Sequence, residues 1–116
     1  MAFAELLQWQ WSDYPEKHRN HTNLLIHIAA VPMFVLAAPT LVVALIRFEI
    51  WTAVLAAAAI GLSLFLQGRG HGLEKSAPTP FGGGGDFARR VLAEQFITFP
   101  RFVVTGGWAR NLRSLP

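Results

Sequence analysis

Four histidines are the side chains of this chain best suited to bind a metal ion. His18, His21 and His27 lie close together in the sequence, and His71 follows much later. The chain has no cysteine, which excludes disulfides and thiolate metal sites. Any bound metal must therefore be held by imidazole, carboxylate or amide groups. A single histidine near a membrane surface is usually only an amphipathic side chain, so a metal site requires that several of the four meet.

Polar side chains accompany two of these histidines at helical spacing. Asn23 and His27 are four residues apart, and Asn20 lies seven residues before His27, so all three share one face of a helix. A second polar stripe consists of Gln67, His71 and Glu74. Imidazoles with a carboxylate suit iron, zinc, copper or nickel, and a histidine-rich site with open positions is the usual design for non-haem Fe(II) and O₂. Spacing alone does not choose among these metals.

Two long apolar segments must position these stripes. Residues 24–46 contain no Asp, Glu, Lys or Arg, and as a helix they would extend about 35 Å, enough to cross a bilayer core. Residues 47–49 (RFE) form a polar turn, and a second apolar segment follows over residues 50–67. Only 15% of the 116 residues are charged, against roughly 25% in soluble domains. We therefore expect an integral membrane helical hairpin of two spans.

The hairpin would return the end of the second span to the side where the first begins. His71 could then approach the other three histidines despite its distance along the chain. We expect an all-α fold with one membrane domain over residues 1–116. An N-terminal interfacial helix is predicted over residues 2–11, where three bulky apolar residues recur beside two tryptophans.

The C-terminal third of the chain is less regular. Residues 76–85 form a glycine- and proline-rich loop without the spacing of a phosphate-binding motif. Asp86 is a candidate N-cap, and amphipathic or re-entrant helices are predicted over residues 87–112. Pro100 is expected to end the first of them at residue 99.

The distribution of charge predicts the orientation of the hairpin. Lys17 and Arg19 precede the first span, Arg69, Lys75, Arg89 and Arg90 follow the second, and the turn holds only Arg47. By the positive-inside rule both termini face the cytoplasm of a multi-pass membrane protein, in the inner membrane for a bacterial chain. The net charge of +3 comes from residues that flank the spans, and no nucleic-acid motif accompanies it, so nucleic acid is not an expected partner.

Two motifs resemble those of the fungal 2-hydroxy fatty acid dioxygenase family and its bacterial membrane relatives. The first motif comprises Tyr14, the run His18-Arg19-Asn20-His21-Thr22-Asn23-Leu24-Leu25-Ile26-His27, and Pro32. The second comprises Gln67-Gly68-Arg69-Gly70-His71 and Glu74-Lys75-Ser76-Ala77-Pro78. Together they cover about a third of the chain, and their order and separation fit the family. Either motif alone would be weak.

The resemblance implies a small membrane enzyme that uses Fe²⁺ and O₂ to shorten a 2-hydroxy fatty acid by one carbon. Its partners would be the fatty-acyl substrate, O₂ and membrane lipid. His18, His27 and His71 match the histidines of the family. The matching polar positions are Asn20, Asn23, Gln67 and Glu74; the three amides would orient the ligands and Glu74 would complete the metal site.

His21 departs from the fungal pattern, which has a small polar residue at this position. It stands three residues after His18, and neighbours at this spacing on a helix face the same way, which favours His21 as a ligand. The expected metal ligands are thus His18, His21, His27, His71 and Glu74, although the fungal members work without a histidine at the position of His21.

Two other functions remain open from the sequence. One is a non-enzymatic membrane protein that binds metal or packs against a partner, including a second copy of itself, through the small residues 56–61. The other is a proton or ion pathway, for which a single hairpin has too few helices unless it forms a homo-oligomer. Metal analysis of the purified protein separates the oxygenase from a partner-packing protein or an ion pathway.

The orientation can be tested with reporter fusions. A cytoplasm-dependent reporter such as green fluorescent protein should be active when fused to the C-terminus, because the cations flank both outer ends of the hairpin. A periplasm-dependent phosphatase inserted after Phe48, in the turn, should also be active. Phosphatase activity from the C-terminal fusion would show that the orientation is reversed.

Overall fold

A computed structural model describes residues 1–114, and this part of the chain is helical with no strand. The all-α prediction is thereby confirmed. The helices, in chain order, are α1 (Phe3–Lys17), α2 (His21–Ile46), α3 (Ile50–His71), α4 (Gly84–Ala93), a π-helical turn (Glu94–Thr98), α5 (Phe99–Val104) and α6 (Gly107–Arg113).

Helices α2 and α3 form the predicted hairpin and are both long and apolar enough to cross a membrane. Their most apolar stretches have mean hydropathies of 2.4 and 1.9, yet only 28% and 22% of these stretches are buried. The core helix of a soluble protein would bury most of such a surface. The apolar side chains of this hairpin instead face outwards, as expected for contact with lipid.

The turn between the two helices follows the predicted residues 47–49. Phe48 adopts a left-handed backbone conformation with φ of 56°, which reverses the chain, and the Glu49 amide donates to the Ala44 carbonyl over 2.8 Å. At the opposite end of the hairpin both helices are longer than predicted: α2 begins before residue 24, and α3 continues past residue 67 to His71. Helix α2 starts at His21 because the side chain of Asn20 accepts a hydrogen bond from the Asn23 amide and caps the helix.

Helix α1 is longer than predicted, and the position of its end determines how His18 and His21 are oriented. It continues to Lys17 through Pro15, and His18 follows in a non-helical conformation with φ of −135° and ψ of 59°. Helix α2 starts only at His21. The expectation that His18 and His21 share a helix face was therefore wrong, because the chain changes direction between them.

The C-terminal helices run without interruption from Gly84 to Val104, so Pro100 does not end the helix as predicted. Pro100 is the second residue of α5 and directly follows the π-helical turn, so the missing amide hydrogen falls where the continuous helix changes type. Asp86 is not the N-cap either. It lies in the first turn of α4, and its carboxylate accepts from the Gly82 amide over 2.8 Å.

A small core joins these helices to the hairpin. Its buried members come from α1, α2 and α5 and are Tyr14, Leu24, Val31, Phe99 and Phe102. Helix α6 closes one side of this core: Trp108 donates its indole N–H to the Leu24 carbonyl over 2.9 Å, and the Asn111 amide donates to the His18 carbonyl over 2.8 Å. The break between α1 and α2 is thereby covered by the C-terminal segment.

Close contact between α2 and α3 depends on Gly70. A Cβ atom added at this position would overlap the side-chain amide of Asn23, which is fully buried and cannot move aside because its Nδ2 donates to Glu74 over 2.6 Å. A Cβ atom at Gly61 of the same helix would meet no atom within 4 Å.

Gly70→Ala should therefore lower the thermal unfolding temperature of the detergent-solubilised protein, because overpacking a buried contact typically costs about 1–3 kcal/mol. Gly61→Ala should leave that temperature unchanged or raise it, since alanine is the better helix former. Equal unfolding temperatures for the two variants would show that α2 and α3 do not meet at Asn23.

Candidate metal centre

Three histidines from three different segments converge at one end of the hairpin. His18 ends α1, His27 lies near the start of α2, and His71 is the last residue of α3. Their ring centroids are 4.8, 4.8 and 4.9 Å apart, and each pair of ring planes is nearly perpendicular, at 87°, 79° and 85°. The three imidazoles form an almost equilateral triangle around a common point.

The hydrogen bonds of two of these rings decide which nitrogen faces that point. His18 Nδ1 lies 2.9 Å from the carbonyl oxygen of Tyr14, and His27 Nδ1 lies 3.0 Å from that of Asn23. A carbonyl can only accept, so each Nδ1 carries the hydrogen and each Nε2 of the neutral ring has a free lone pair. This is the arrangement that proteins use to orient metal-binding histidines.

The inward-facing nitrogens have no hydrogen-bond partner. His18 Nε2, His27 Nε2 and His71 Nδ1 are all buried and unpaired within residues 1–114. Most buried polar atoms in proteins are hydrogen-bonded, so three unpaired acceptors at one point require an explanation. A cation bound between them would provide one.

Glu94 completes the cluster with an oxygen ligand. Its Oε2 lies 3.4 Å from His18 Nε2 and 3.8 Å from His27 Nε2, and one ligand atom from each of the four residues falls within 4.8 Å of the others. Burial by itself would raise the pKa of Glu94, but interaction with His18, and then with His27 and His71, lowers it to about 2 when these rings are protonated, and a divalent cation held by the neutral rings would act in the same direction. Glu94 is therefore a carboxylate at neutral pH.

Tyr14 also contacts this carboxylate. Its hydroxyl donates to Glu94 Oε2 over 2.7 Å. Burial, followed by the charge of Glu94, holds the pKa of the Tyr14 hydroxyl well above its usual value, so this group remains a donor. The cluster thus offers three nitrogen atoms and one anionic oxygen to a divalent cation, a donor set that suits iron or zinc.

The predicted ligand Glu74 lies outside this cluster. Its carboxylate accepts from the backbone amides of Arg19 and Asn20 over 3.0–3.1 Å and from Asn23 Nδ2 over 2.6 Å. These contacts hold a negative charge at the N-terminus of α2, where the helix dipole favours it. Glu74 therefore ties the segment after α3 to the start of α2 and keeps His71 beside His27.

His21 also lies away from the cluster. The break between α1 and α2 turns its ring towards α6, and Nε2 lies 2.8 Å from the carbonyl oxygen of Ser114. The structure thus brings together His18, His27 and His71 as proposed. It does not include His21, the histidine that departs from the fungal pattern.

The three predicted amide residues lie around the cluster in different roles. Asn20 caps α2, and Asn23 accepts from the His27 ring through its carbonyl oxygen. Gln67 is buried and exchanges two hydrogen bonds with Gln95, of 2.9 and 2.8 Å, next to Glu94 in the sequence. This pair fastens the π-helical turn to α3.

Glu94 was not identified from the sequence. It lies within residues 87–112, which were predicted to form amphipathic or re-entrant helices, and no role was predicted for it. One signal was available: Glu94 is the only acidic residue after Asp86. A lone carboxylate within an apolar helix beside a membrane usually has a specific partner.

A cavity of about 240 Å³ lies beside the cluster and is bordered by His18, His71 and Glu94. Its other walls are largely apolar and include Trp9, Leu64, Phe81 and Val91. The cluster is therefore accessible from a mainly apolar space.

Two cations hold one wall of this cavity in place. Lys17 Nζ donates to Ser76 Oγ over 2.9 Å and to the Ala77 carbonyl over 2.6 Å. Arg90 donates to the Thr79 and Pro80 carbonyls over 2.8 and 3.0 Å. The loop before α4 is thereby fixed across the cavity.

Comparison with known families agrees with the two sequence motifs. The model of a family described as 2-hydroxy-palmitic acid dioxygenase Mpo1-like matches residues 4–84, well over half of the chain. The chain belongs to the Mpo1-like family. The match includes the three clustered histidines and ends before Glu94, which lies beyond residue 84. No curated protein and no solved structure matches this Mpo1-like chain.

Metal content after substitution tests the assignment of the ligands. His71→Ala should remove stoichiometric metal from the purified protein, because it deletes one of the inward-facing nitrogens. His21→Ala should retain it, since this ring lies away from the cluster and its Nε2 is hydrogen-bonded to the Ser114 carbonyl. Elemental analysis by mass spectrometry would measure both. Full metal content in His71→Ala, or its loss in His21→Ala alone, would contradict the assignment.

Proposed function

We propose that this protein is a metal-dependent membrane oxygenase that shortens 2-hydroxy fatty acids by one carbon with O₂. The observation that carries the proposal is the convergence of His18, His27, His71 and Glu94 on one point beside an apolar cavity. The family to which the chain belongs is described as 2-hydroxy-palmitic acid dioxygenase Mpo1-like, which names a substrate and a reaction of this class.

Iron(II) is the metal that we propose for this site. The four residues named above would hold it, and it would supply the one-electron chemistry that O₂ requires, which imidazole and carboxylate ligands support. The contribution of the chain is to fix the ligands. Backbone carbonyls set the protonation of His18 and His27, and the low pKa of Glu94 keeps it anionic.

The cavity is the proposed substrate site. Its apolar walls fit methylene groups, and its polar lining includes the cations Lys17 and Arg90 together with the anion Asp13. A space of about 240 Å³ holds a headgroup and part of a long acyl chain, so the remainder would extend into lipid. The position of the cluster at one end of the hairpin suits this arrangement, because a fatty acid keeps its carboxylate at the membrane surface.

One observation favours a structural metal site as a second candidate. Four protein ligands are the usual number for a closed, structural site, whereas catalytic sites keep a position free for substrate or water. The cavity beside His18, His71 and Glu94 favours an accessible site and therefore the oxygenase.

Oxygen consumption tests the proposed activity. The protein is purified anaerobically in detergent, loaded with Fe(II) and given 2-hydroxypalmitate, with palmitate as the substrate that lacks the hydroxyl group. We expect O₂ uptake and a product one carbon shorter with the hydroxy acid only. Absence of both, in protein that has bound iron stoichiometrically, would support the structural site instead.

Glu94→Gln provides a sharper test of the same proposal. The amide is nearly isosteric but lacks the negative charge, so the turnover rate should fall by more than about 100-fold, beyond the roughly 10–100-fold typical of residues that only orient a ligand. Glu16→Gln is the matched control, because Glu16 is exposed and pairs with Arg19 at the surface. Equal rates for the two variants would remove Glu94 from the site.

A further inference from the structure

Tyr14 contacts two members of the cluster through three separate interactions. Its hydroxyl donates to Glu94 Oε2 over 2.7 Å, and its ring stacks on His18 with centroids 3.7 Å apart and planes inclined by 14°. Its backbone carbonyl lies 2.9 Å from His18 Nδ1. Only 3% of the residue is exposed, so these contacts are made away from solvent.

Each interaction fixes a different property of the cluster. The carbonyl determines which nitrogen of His18 carries the hydrogen, and the stacked ring restricts rotation of the imidazole about χ2. The hydroxyl restrains the carboxylate. Within residues 1–114 it is the one side-chain hydroxyl bonded to Glu94, and the oxygen that it contacts is the one facing the two histidine nitrogens.

We propose that Tyr14 is the positioning residue of the metal site, which acts by holding Glu94 Oε2 towards His18 and His27. This inference rests on the proposed function for the identity of the site, but it concerns the affinity and geometry of metal binding rather than turnover. Tyr14 belongs to α1, a helix outside the hairpin. The metal site is therefore complete only when α1 packs against the π-helical turn.

A second polar contact keeps these two elements in register. The Gln10 side chain, one helical turn before Tyr14, accepts from the Thr98 hydroxyl, and its Nε2 donates to the Arg90 carbonyl over 3.0 Å. Both Gln10 and Thr98 are buried. Since Thr98 ends the π-helical turn that Glu94 begins, this contact holds the turn at the position where Tyr14 reaches the carboxylate.

Tyr14→Phe is the variant that tests the proposal, because it keeps the stacked ring and the backbone carbonyl and removes only the hydroxyl. Co(II) serves as the probe, since its visible absorption reports ligand geometry as well as occupancy. We expect Co(II) affinity to fall by roughly 10–100-fold and the absorption bands to shift. Thr40→Val is the control: it also removes one hydroxyl hydrogen bond, to the Leu36 carbonyl, at a position about 20 Å along α2 from His27, and should leave affinity and bands unchanged.

A double-mutant cycle shows whether Tyr14 acts through Glu94. In a Glu94→Gln background the additional Tyr14→Phe substitution should change Co(II) affinity by less than about 2-fold, because residues that act through one another are not additive. Independent effects of the two substitutions, or wild-type affinity and bands in Tyr14→Phe, would overturn the positioning role and leave the proposed function standing. Failure of the wild-type protein to bind Co(II) or Fe(II) would overturn both.

Discussion

Three imidazole nitrogens are buried against one another with nothing in residues 1–114 to donate to them, and the remainder of the structure is arranged around this constraint. An unsatisfied buried polar group costs about 1–3 kcal/mol, and three such groups at one point represent a large fraction of the stability of a small protein. A divalent cation would convert this cost into binding energy, since all three lone pairs would face it. The carboxylate of Glu94 at the same point supplies compensating charge.

Each structural element has a specific part in holding this arrangement. The hairpin brings His71 to the level of His27. Glu74 fixes that alignment because it accepts hydrogen bonds from the Asn20 amide and the Asn23 side chain at the start of α2. Gly70 allows the two helices to approach closely at Asn23. The π-helical turn carries Glu94 inwards, in agreement with the frequent occurrence of such turns at functional sites, and the buried Gln67–Gln95 pair anchors it.

Much of this architecture follows from local features of the sequence. The two apolar segments predicted the hairpin because length and the absence of charge are sufficient for that purpose, and the hairpin in turn implied that His71 returns to the other histidines. The end of α1 could not be predicted from local features of the sequence. Whether a helix continues past Pro15 depends on packing of Tyr14 against Phe99 and Phe102, which are residues from the opposite end of the chain. His21 was consequently assigned to the wrong face, and Glu94 was missed because its partners come from α1 and α2.

We expect one divalent cation to bind between His18, His27, His71 and Glu94. Anomalous diffraction at the iron absorption edge, from crystals of the Fe(II)-loaded protein grown without oxygen, would locate it. A single strong peak should lie at roughly 2.0–2.2 Å from a nitrogen of each of the three histidines and from an oxygen of Glu94, which are the usual metal–ligand distances for such donors. A peak bound instead by His21 or Glu74, or no peak between the three clustered rings, would contradict this expectation.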